Sequence, residues 1–292
     1  MNEPLVSVIV TSYNGSDSIA RAIESVKKQT YKNIEILVVD DNGLGSEEQV
    51  KTEKIVSTFS DVKYIAHEVN KNGSAARNTG AREAKGEFYC FLDDDDEFLE
   101  KKVELQVAKF NELGNDYAIV YCSFIDIDQN GKESTIIAEK RGDILIYSLL
   151  DQIKVATSLF MVRKSAFDDM NGFDESFRRH QDWEFVARVS SKYKVDFVPD
   201  ICVVKHSISR NSARNPQMVE TYRMHYLQKL STIIDSTGCG KKINCYHYLC
   251  FVKDYVKAGN YGKFFEYLIK SKAPFTFTSM FIHDVLKSVK SR

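Results

Sequence analysis

The sequence predicts an α/β protein with a mixed, mostly parallel central sheet flanked by helices, followed by a helical C-terminal region. Short apolar, β-branched runs alternate with segments whose apolar residues recur at helical spacing, which is the pattern of strands joined by crossover helices. The 292 residues, 43% hydrophobic and 28% charged, suffice for a full hydrophobic core and a smaller appendage.

The first half of the chain alternates buried strands with helices. Each predicted strand is a short apolar run without alternation, as expected of a strand covered on both faces. Asp17 is predicted to cap the first helix, which runs to Thr30. The strands are predicted at residues 5–10, 34–39, 62–66 and 87–92, and two further helices at 74–84 and 99–113.

A different rhythm begins after a strand predicted at residues 118–125. The turn-forming residues 128–131 join this strand to another at 132–138, so an antiparallel hairpin is expected. Further helices are predicted near residues 144–150 and 183–191, and strands near 158–162, 195–198 and 201–205. From residue 216 onward only helical patterns remain. We therefore expect one domain over residues 1–215, with halves of about 1–97 and 98–215, and a helical region over 216–292.

The charge distribution restricts the partners of the chain. A formal net charge of -1 argues against a general nucleic-acid binder, which needs a basic surface. Residues 216–292 contain 12 Lys/Arg and 5 Asp/Glu, a net charge of +7, which leaves -8 for residues 1–215. Aromatic residues and lysines recur along the basic region, among them Tyr255, Phe265, Phe281 and Lys270. They predict either a peripheral contact with an anionic membrane or aromatic packing on the first domain.

The predicted location is cytoplasmic, with any membrane contact peripheral and on the inner face. The six cysteines include no CxxC pair, which favours reduced thiols. No signal peptide is visible, and no run reaches the roughly 20 apolar residues of a membrane span.

Four consecutive carboxylates, Asp93 to Asp96, follow the strand predicted at residues 87–92. Such side chains repel one another unless a cation offsets their charge, and oxygen ligands suit Mg²⁺ or Mn²⁺. A solvated acidic loop is the alternative. Ligands of open α/β sheets collect beyond the carboxyl ends of the strands, so this position favours a metal site.

Two glycine-containing segments hint at phosphate binding. Residues 73–80 open a helix with small residues, and Arg77 offers a planar fork to a phosphate, although simple helix packing explains the segment equally well. Gly43 and Gly45 resemble part of a dinucleotide fingerprint. The third glycine is absent and no helix is predicted to open directly after them, which disfavours a nicotinamide-dependent enzyme.

Six motifs, in order and at the right spacing over residues 4–212, closely resemble family 2 glycosyltransferases of the GT-A fold. They are the run Val6-Ser7-Val8-Ile9-Val10-Thr11-Ser12-Tyr13-Asn14, then Val38-Val39-Asp40-Asp41, residues 73–80, Phe91-Leu92-Asp93-Asp94-Asp95-Asp96, Gly172-Phe173-Asp174-Glu175 and Gln181-Asp182-Trp183-Glu184.

The resemblance implies a role for each matching residue. The nucleotide-sugar would contact Thr11, Tyr13, Asp41, Arg77, Asp93 and Asp94. Within that set, Thr11 and Tyr13 would border the base and Asp41 would accept a hydrogen bond from uracil. Asp95, with Asp93, would hold Mn²⁺ or Mg²⁺.

Three further residues are candidates for roles near the reaction centre. Asp182 stands at the position of the catalytic base, although the usual preceding Glu is Gln181 here. His206 is either a third metal ligand, a phosphate contact or a surface histidine, and His180 is a candidate acceptor contact.

The function that follows is metal-dependent, inverting glycosyl transfer. The expected donor is a UDP-hexose or UDP-N-acetylhexosamine, and the expected acceptor is a hydroxyl of a glycan or lipid-linked sugar in bacterial cell-surface polysaccharide synthesis. The alternatives are a sugar nucleotidyltransferase, which lacks its usual Gly-rich basic segment between residues 5 and 15, and a non-catalytic nucleotide-sugar-binding module.

Overall fold

The computed structural model describes residues 3–207 and 215–273. The chain divides into an N-terminal unit, Met1–Ser209, and a C-terminal unit, Arg210–Arg292. The described part of the N-terminal unit holds one sheet of nine strands, ordered β3-β2-β1-β4-β8-β6-β9-β5, with β7 paired to β6. The strands are β1 (Val6–Ser12), β2 (Ile34–Asp40), β3 (Val62–Ala66), β4 (Phe88–Asp93), β5 (Glu97–Phe98), β6 (Tyr117–Asp128), β7 (Glu133–Ile136), β8 (Met161–Arg163) and β9 (Lys194–Ser207).

The two halves of the sheet differ in strand direction. Strands β1 to β4 pair in parallel, whereas β8 pairs antiparallel with both β4 and β6. The flanking helices of this unit are α1 (Ile19–Lys27), α2 (Glu47–Val56), α3 (Gly73–Glu83), α4 (Lys102–Glu112), α5 (Leu145–Leu149), α6 (Lys164–Asp169) and α7 (Gln181–Ser190), with a 3₁₀ turn at Thr157–Leu159.

Hydrophobic layers cover both faces of the sheet. Successive side chains of a strand point to opposite faces. Val8 and Val10 accordingly pack in the layer that includes residues of α1 and α4, and Ile9 in the layer that includes residues of α3 and α7. This double coverage confirms the prediction drawn from the uninterrupted apolar runs.

Helix α2 contradicts the expectation that no helix opens after Gly43 and Gly45. It begins at Glu47, and the Ser46 hydroxyl caps it by accepting a hydrogen bond from the Gln49 backbone N–H at 3.2 Å. The helix has no clear apolar periodicity in the sequence, because its buried face includes the polar residues Gln49 and Thr52 beside Val56.

Two smaller expectations were also wrong. Asp17 does not cap α1: the N-cap residue is Ser18 and makes no side-chain cap hydrogen bond, while the Gly15 carbonyl accepts from the backbone N–H groups of Ser18 and Ile19. The strands predicted at 195–198 and 201–205 are one strand, β9. Its pairing with β6 is irregular where Pro199, which has no N–H to donate, interrupts the ladder.

The described part of the C-terminal unit is helical, as expected. It comprises α8 (Pro216–Lys229), α9 (Ser231–Ser236), α10 (Gly240–Lys257) and α11 (Tyr261–Ser271). Aromatic residues of α10 and α11, including Phe251, Tyr255 and Tyr267, form a hydrophobic cluster within it. In residues 3–207 and 215–273, no helix has both the length and the apolar character needed to cross a membrane. Phe281 lies outside the described residues.

Candidate active site

The parallel register brings three polar strand ends together. Thr11 of β1 lies beside Asp93 of β4, and Ser12 lies beside Asp40 of β2. The loops that follow these strands, beginning at Tyr13, Asp41 and Asp94, therefore emerge at one edge of the sheet. This edge is the place where the sequence predicts the nucleotide-sugar to bind.

The four consecutive aspartates have separate roles in the structure. The Asp94 carboxylate is buried and accepts a hydrogen bond from the Tyr13 backbone N–H at 2.9 Å. The backbone carbonyl of Asp95 accepts from Nη2 of Arg21 at 2.8 Å. Asp93 contacts Arg77, and Asp96 is directed to the opposite half of the sheet.

Asp96 is buried among donors from that half. It accepts from Lys205 Nζ at 2.6 Å, from the Ser158 hydroxyl at 2.6 Å and from the His206 backbone N–H at 3.2 Å. Desolvation acts to lower the pKa of Lys205, but the carboxylates of Asp96 and Asp93 outweigh it, so the pKa is raised and the ammonium stays charged. The sequence motifs assign no separate role to Asp96 and do not contain Lys205, because the contact between the two residues spans 109 residues.

Three carboxylates lie close enough together that they could hold a metal ion. Asp93, Asp95 and Asp96 each offer one carboxylate oxygen, and these oxygens lie within 4.8 Å of one another. Asp93 and Asp95 are partly exposed, so this side of the group is accessible from solvent. Three hard oxygen donors fit a divalent cation such as Mg²⁺ or Mn²⁺.

His206 is placed beside this group without joining it. Its Nε2 lies 2.8 Å from Oε1 of Glu97, and Glu97 also pairs with Arg21 at 3.2 Å. The role of His206 as a metal ligand or phosphate contact stays a prediction.

Arg77 links the acidic cluster to helix α7. Its Nη2 donates to Asp93 Oδ1 at 2.5 Å and its Nη1 donates to Gln181 Oε1 at 2.7 Å, while Arg77 as a whole is only 6% exposed. Desolvation acts to raise the pKa of Asp93, but the charges of Arg77 and Lys205 outweigh it and lower the pKa. Asp93 therefore remains ionised at neutral pH.

Asp182 lies in the first turn of α7, directly after Gln181. Desolvation raises its pKa to about 6, partly opposed by the Trp183 backbone N–H and by the charge of Arg77. A carboxylate with a pKa close to neutral is a suitable general base. His180, the residue before Gln181, has a φ of 61° and stacks on Trp183 with ring centroids 4.1 Å apart.

The expected base-binding residues differ in accessibility. The Tyr13 side chain is 51% exposed and Thr11 is partly exposed, whereas Asp41 is buried at 2% exposure. His67, which belongs to none of the sequence motifs, lies 2.7 Å from the Asp41 carboxylate. The signal available in the sequence was its position directly after the third strand.

The sequence is similar to known glycosyltransferases. The family model described as glycosyl transferase family 2 matches residues 7–170, more than half of the chain. A glycosyltransferase of Rickettsia typhi is 35% identical over 199 residues, which cover 65% of this chain and 61% of the relative. The Escherichia coli enzyme WfgD, a UDP-Glc:alpha-D-GlcNAc-diphosphoundecaprenol beta-1,3-glucosyltransferase, is 34% identical over 141 residues, covering 48% of this chain and 54% of that enzyme.

The chain is shorter than several of these relatives. It spans 28% to 61% of the length of the five Rickettsia glycosyltransferases that it matches. Among solved structures, Staphylococcus aureus TarS 1-349 in complex with UDP-GlcNAc superposes with a TM-score of 0.62 at 20% identity, covering 77% of this chain and 66% of TarS 1-349. That likeness confirms the predicted GT-A type of α/β fold.

Proposed function

Since the chain belongs to glycosyl transferase family 2, we propose that it transfers a sugar from a UDP-sugar to an acceptor hydroxyl with inversion at the anomeric carbon. The observation that carries this proposal is the link through Arg77, which contacts both Asp93 of the acidic cluster and Gln181 beside Asp182. Asp93 and Gln181, the neighbour of Asp182, thus share one buried arginine, which supports a diphosphate site and a proton acceptor within one site. We assign the transfer to residues 1–215.

The donor's diphosphate would lie at the acidic cluster. Asp95, with Asp93 and Asp96 close by, would hold Mn²⁺ or Mg²⁺, and such a cation supplies positive charge for the diphosphate as it leaves. Arg77 is held between Asp93 and Gln181, so its guanidinium needs little reorganisation to stabilise the same charge. Tyr13, half exposed beside Thr11, supplies an aromatic surface for the base.

Asp182 would act as the general base. It accepts the proton of the acceptor hydroxyl while that oxygen forms a bond to the anomeric carbon. The bond from that carbon to the phosphate oxygen breaks at the same time, and its electron pair leaves with UDP. Attack from the face opposite the leaving group inverts the anomeric configuration, as in inverting glycosidases.

A lipid-linked sugar is the acceptor class that we favour. WfgD, whose name describes a diphosphoundecaprenol acceptor, supports this choice, and so does a surface of the C-terminal unit. Tyr261, Phe265 and Ile269 recur every fourth residue on α11 and are 65%, 58% and 75% exposed. Residues four apart share one helix face, so these three side chains form a single apolar stripe.

The charge around the α11 stripe fits an anionic lipid surface. Exposed lysines bracket it: Lys257 lies four residues before Tyr261, and Lys272 lies three residues after Ile269. Residues 215–273 contain 9 Lys/Arg and 4 Asp/Glu, a net charge of +5. We therefore infer a peripheral contact with the inner face of the cell membrane, where anionic lipids attract basic segments.

A donor screen tests the proposed function. The full-length chain with Mn²⁺ is incubated with UDP-glucose, UDP-galactose, the two UDP-N-acetylhexosamines and a dTDP-sugar, and release of the nucleoside diphosphate is measured. We expect hydrolysis of at least one UDP-sugar and a β-product from an α-donor when an acceptor is supplied. Formation of a nucleotide-sugar from a sugar phosphate and UTP would favour the nucleotidyltransferase instead. Binding without any turnover, with or without acceptor, would favour a non-catalytic module.

A further inference from the structure

The carboxylate of Asp41, at the end of β2, is held by three donors. Its Oδ1 accepts from His67 Nδ1 at 2.7 Å and from the Lys71 backbone N–H at 2.7 Å, and its Oδ2 accepts from Asn70 Nδ2 at 2.9 Å. An ionised carboxylate offers about four acceptor positions, two on each oxygen. Within these contacts Oδ1 is filled, and Oδ2 retains one acceptor position.

The His67 ring is fixed at both of its nitrogens. His67 is 5% exposed, and its Nε2 lies 2.9 Å from the Thr79 hydroxyl on α3. A carboxylate oxygen only accepts, so Nδ1 of His67 must carry the proton that it donates to Asp41. Its Nε2 faces the Thr79 hydroxyl, whose oxygen also accepts from Arg82 Nη2 at 2.8 Å.

We propose that His67, oriented by Thr79, is a positioning residue for recognition of the donor's base. By occupying Oδ1, it fixes the Asp41 carboxylate so that the remaining acceptor position on Oδ2 serves an N–H group of the ligand. Uracil has such a donor at N3, whereas cytosine has an acceptor there. The pair would thus favour uracil over cytosine, because two acceptors cannot form a hydrogen bond. This inference rests on the proposed UDP-sugar donor.

Two matched pairs of variants separate positioning from folding. His67→Ala removes the donor to Asp41, whereas His67→Asn keeps an amide N–H near the position of Nδ1. Thr79→Val removes the hydroxyl at nearly constant shape, whereas Thr79→Ser retains it. Affinity for UDP and for CDP is measured by calorimetry on each full-length variant, with its melting temperature recorded, and kcat and KM are measured with the hydrolysed UDP-sugar.

We expect His67→Ala and Thr79→Val to weaken UDP binding about tenfold or more, the usual effect of losing a hydrogen bond to a charged group. His67→Asn and Thr79→Ser should stay within about threefold of wild type. CDP affinity should be unchanged throughout, and KM should rise while kcat is retained.

Two results would overturn the inference: unchanged UDP affinity in both disruptive variants, or equal losses for UDP and CDP, which would show a purely structural role. A wild-type chain that binds no UDP would remove the proposed donor itself, and the wild-type titration reveals this before any variant is compared.

Discussion

Arg77 Nη2 lies 2.5 Å from Asp93 Oδ1, and this partly buried ion pair joins helix α3 to the end of strand β4. The same guanidinium bonds Gln181. One side chain therefore sets the spacing between the proposed diphosphate site and the helix that carries the proposed base.

Replacing Arg77 by lysine should lower kcat/KM about 100-fold or more. A lysine keeps the charge but cannot span Asp93 and Gln181 with a planar fork, and loss of a preorganised donor to a developing negative charge has an effect of this size. Steady-state hydrolysis of the UDP-sugar measures it. Arg141→Lys, on an exposed arginine, is the control and should keep wild-type kinetics. A rate within threefold of wild type for the Arg77 variant would contradict the proposed role.

Asp182→Asn should retain UDP binding while turnover with acceptor falls about 10²–10⁴-fold, the usual contribution of a general base. Asn is nearly isosteric but cannot accept the proton. Asp61→Asn, on an exposed aspartate, provides the matched control. Near-normal transfer by the Asp182 variant would exclude this residue as the base.

The pH profile of the wild-type chain tests the same role. Asp182 works as a base only when ionised, and desolvation raises its pKa to about 6. Activity should therefore be full above this pH and fall as the pH drops through about 6, approaching tenfold per pH unit. A profile that stays flat down to pH 4.5 would indicate that another group accepts the proton.

Removing divalent cations with EDTA should abolish transfer, and added Mn²⁺ or Mg²⁺ should restore it. We expect this because the carboxylate oxygens of Asp93, Asp95 and Asp96 lie close enough together to bind a divalent cation. Asp95→Asn should raise the Mn²⁺ concentration needed for half-maximal activity. Asp169→Asn, at an exposed aspartate that pairs with Lys192, should not. Full activity after exhaustive chelation would refute a metal-dependent reaction.

Gly15→Ala should destabilise the N-terminal unit by about 1–3 kcal/mol, the usual cost of overpacking. A Cβ at this position would lie 1.8 Å from Asp94 Oδ2. Thermal unfolding measures the change. Gly262→Ala in the exposed first turn of α11, where the nearest atom lies 3.7 Å away, should be neutral or slightly stabilising. Equal melting temperatures for Gly15→Ala and wild type would show that the loop relaxes without loss.

The α11 stripe predicts binding to vesicles that contain phosphatidylglycerol. Phe265→Ser combined with Ile269→Ser should weaken binding at least about tenfold, since each buried apolar side chain contributes about 1.5–3 kcal/mol. Leu44→Ser, at 58% exposure in the N-terminal unit, is the control. Wild-type vesicle binding by the double variant would contradict the membrane contact. If the double variant still binds vesicles but no longer forms a dimer seen for the wild type, the α11 stripe is instead a contact between two copies of the chain.

Sequence patterns predicted the N-terminal half well because its strands and helices are marked by patterns of neighbouring residues. Apolar runs end in polar residues, and parallel pairing then brings Thr11, Asp41 and Asp93 to one edge of the sheet. Helix α2 was missed because its buried face carries Gln49 and Thr52, which removes the apolar periodicity on which the prediction depends.

The contacts within the site were beyond such reasoning because they depend on distant pairings. Asp96 meets Lys205 through the antiparallel pairing of β5 with β9, and Arg77 meets Gln181 across 104 residues. Neither separation leaves a periodic signal. The sequence shows the residue type at each of these positions, but it does not show which residues contact one another in the folded chain.

The hydrogen bond from the Tyr13 backbone to Asp94 has a mechanical consequence. The bond fixes the position of the loop that would face the base relative to the segment that would hold the diphosphate. Both ends of a bound nucleotide would then contact segments held in one arrangement. Replacing Asp94 should therefore lower the affinity for the nucleoside part of the donor. Binding of a cation at Asp95 should be unaffected.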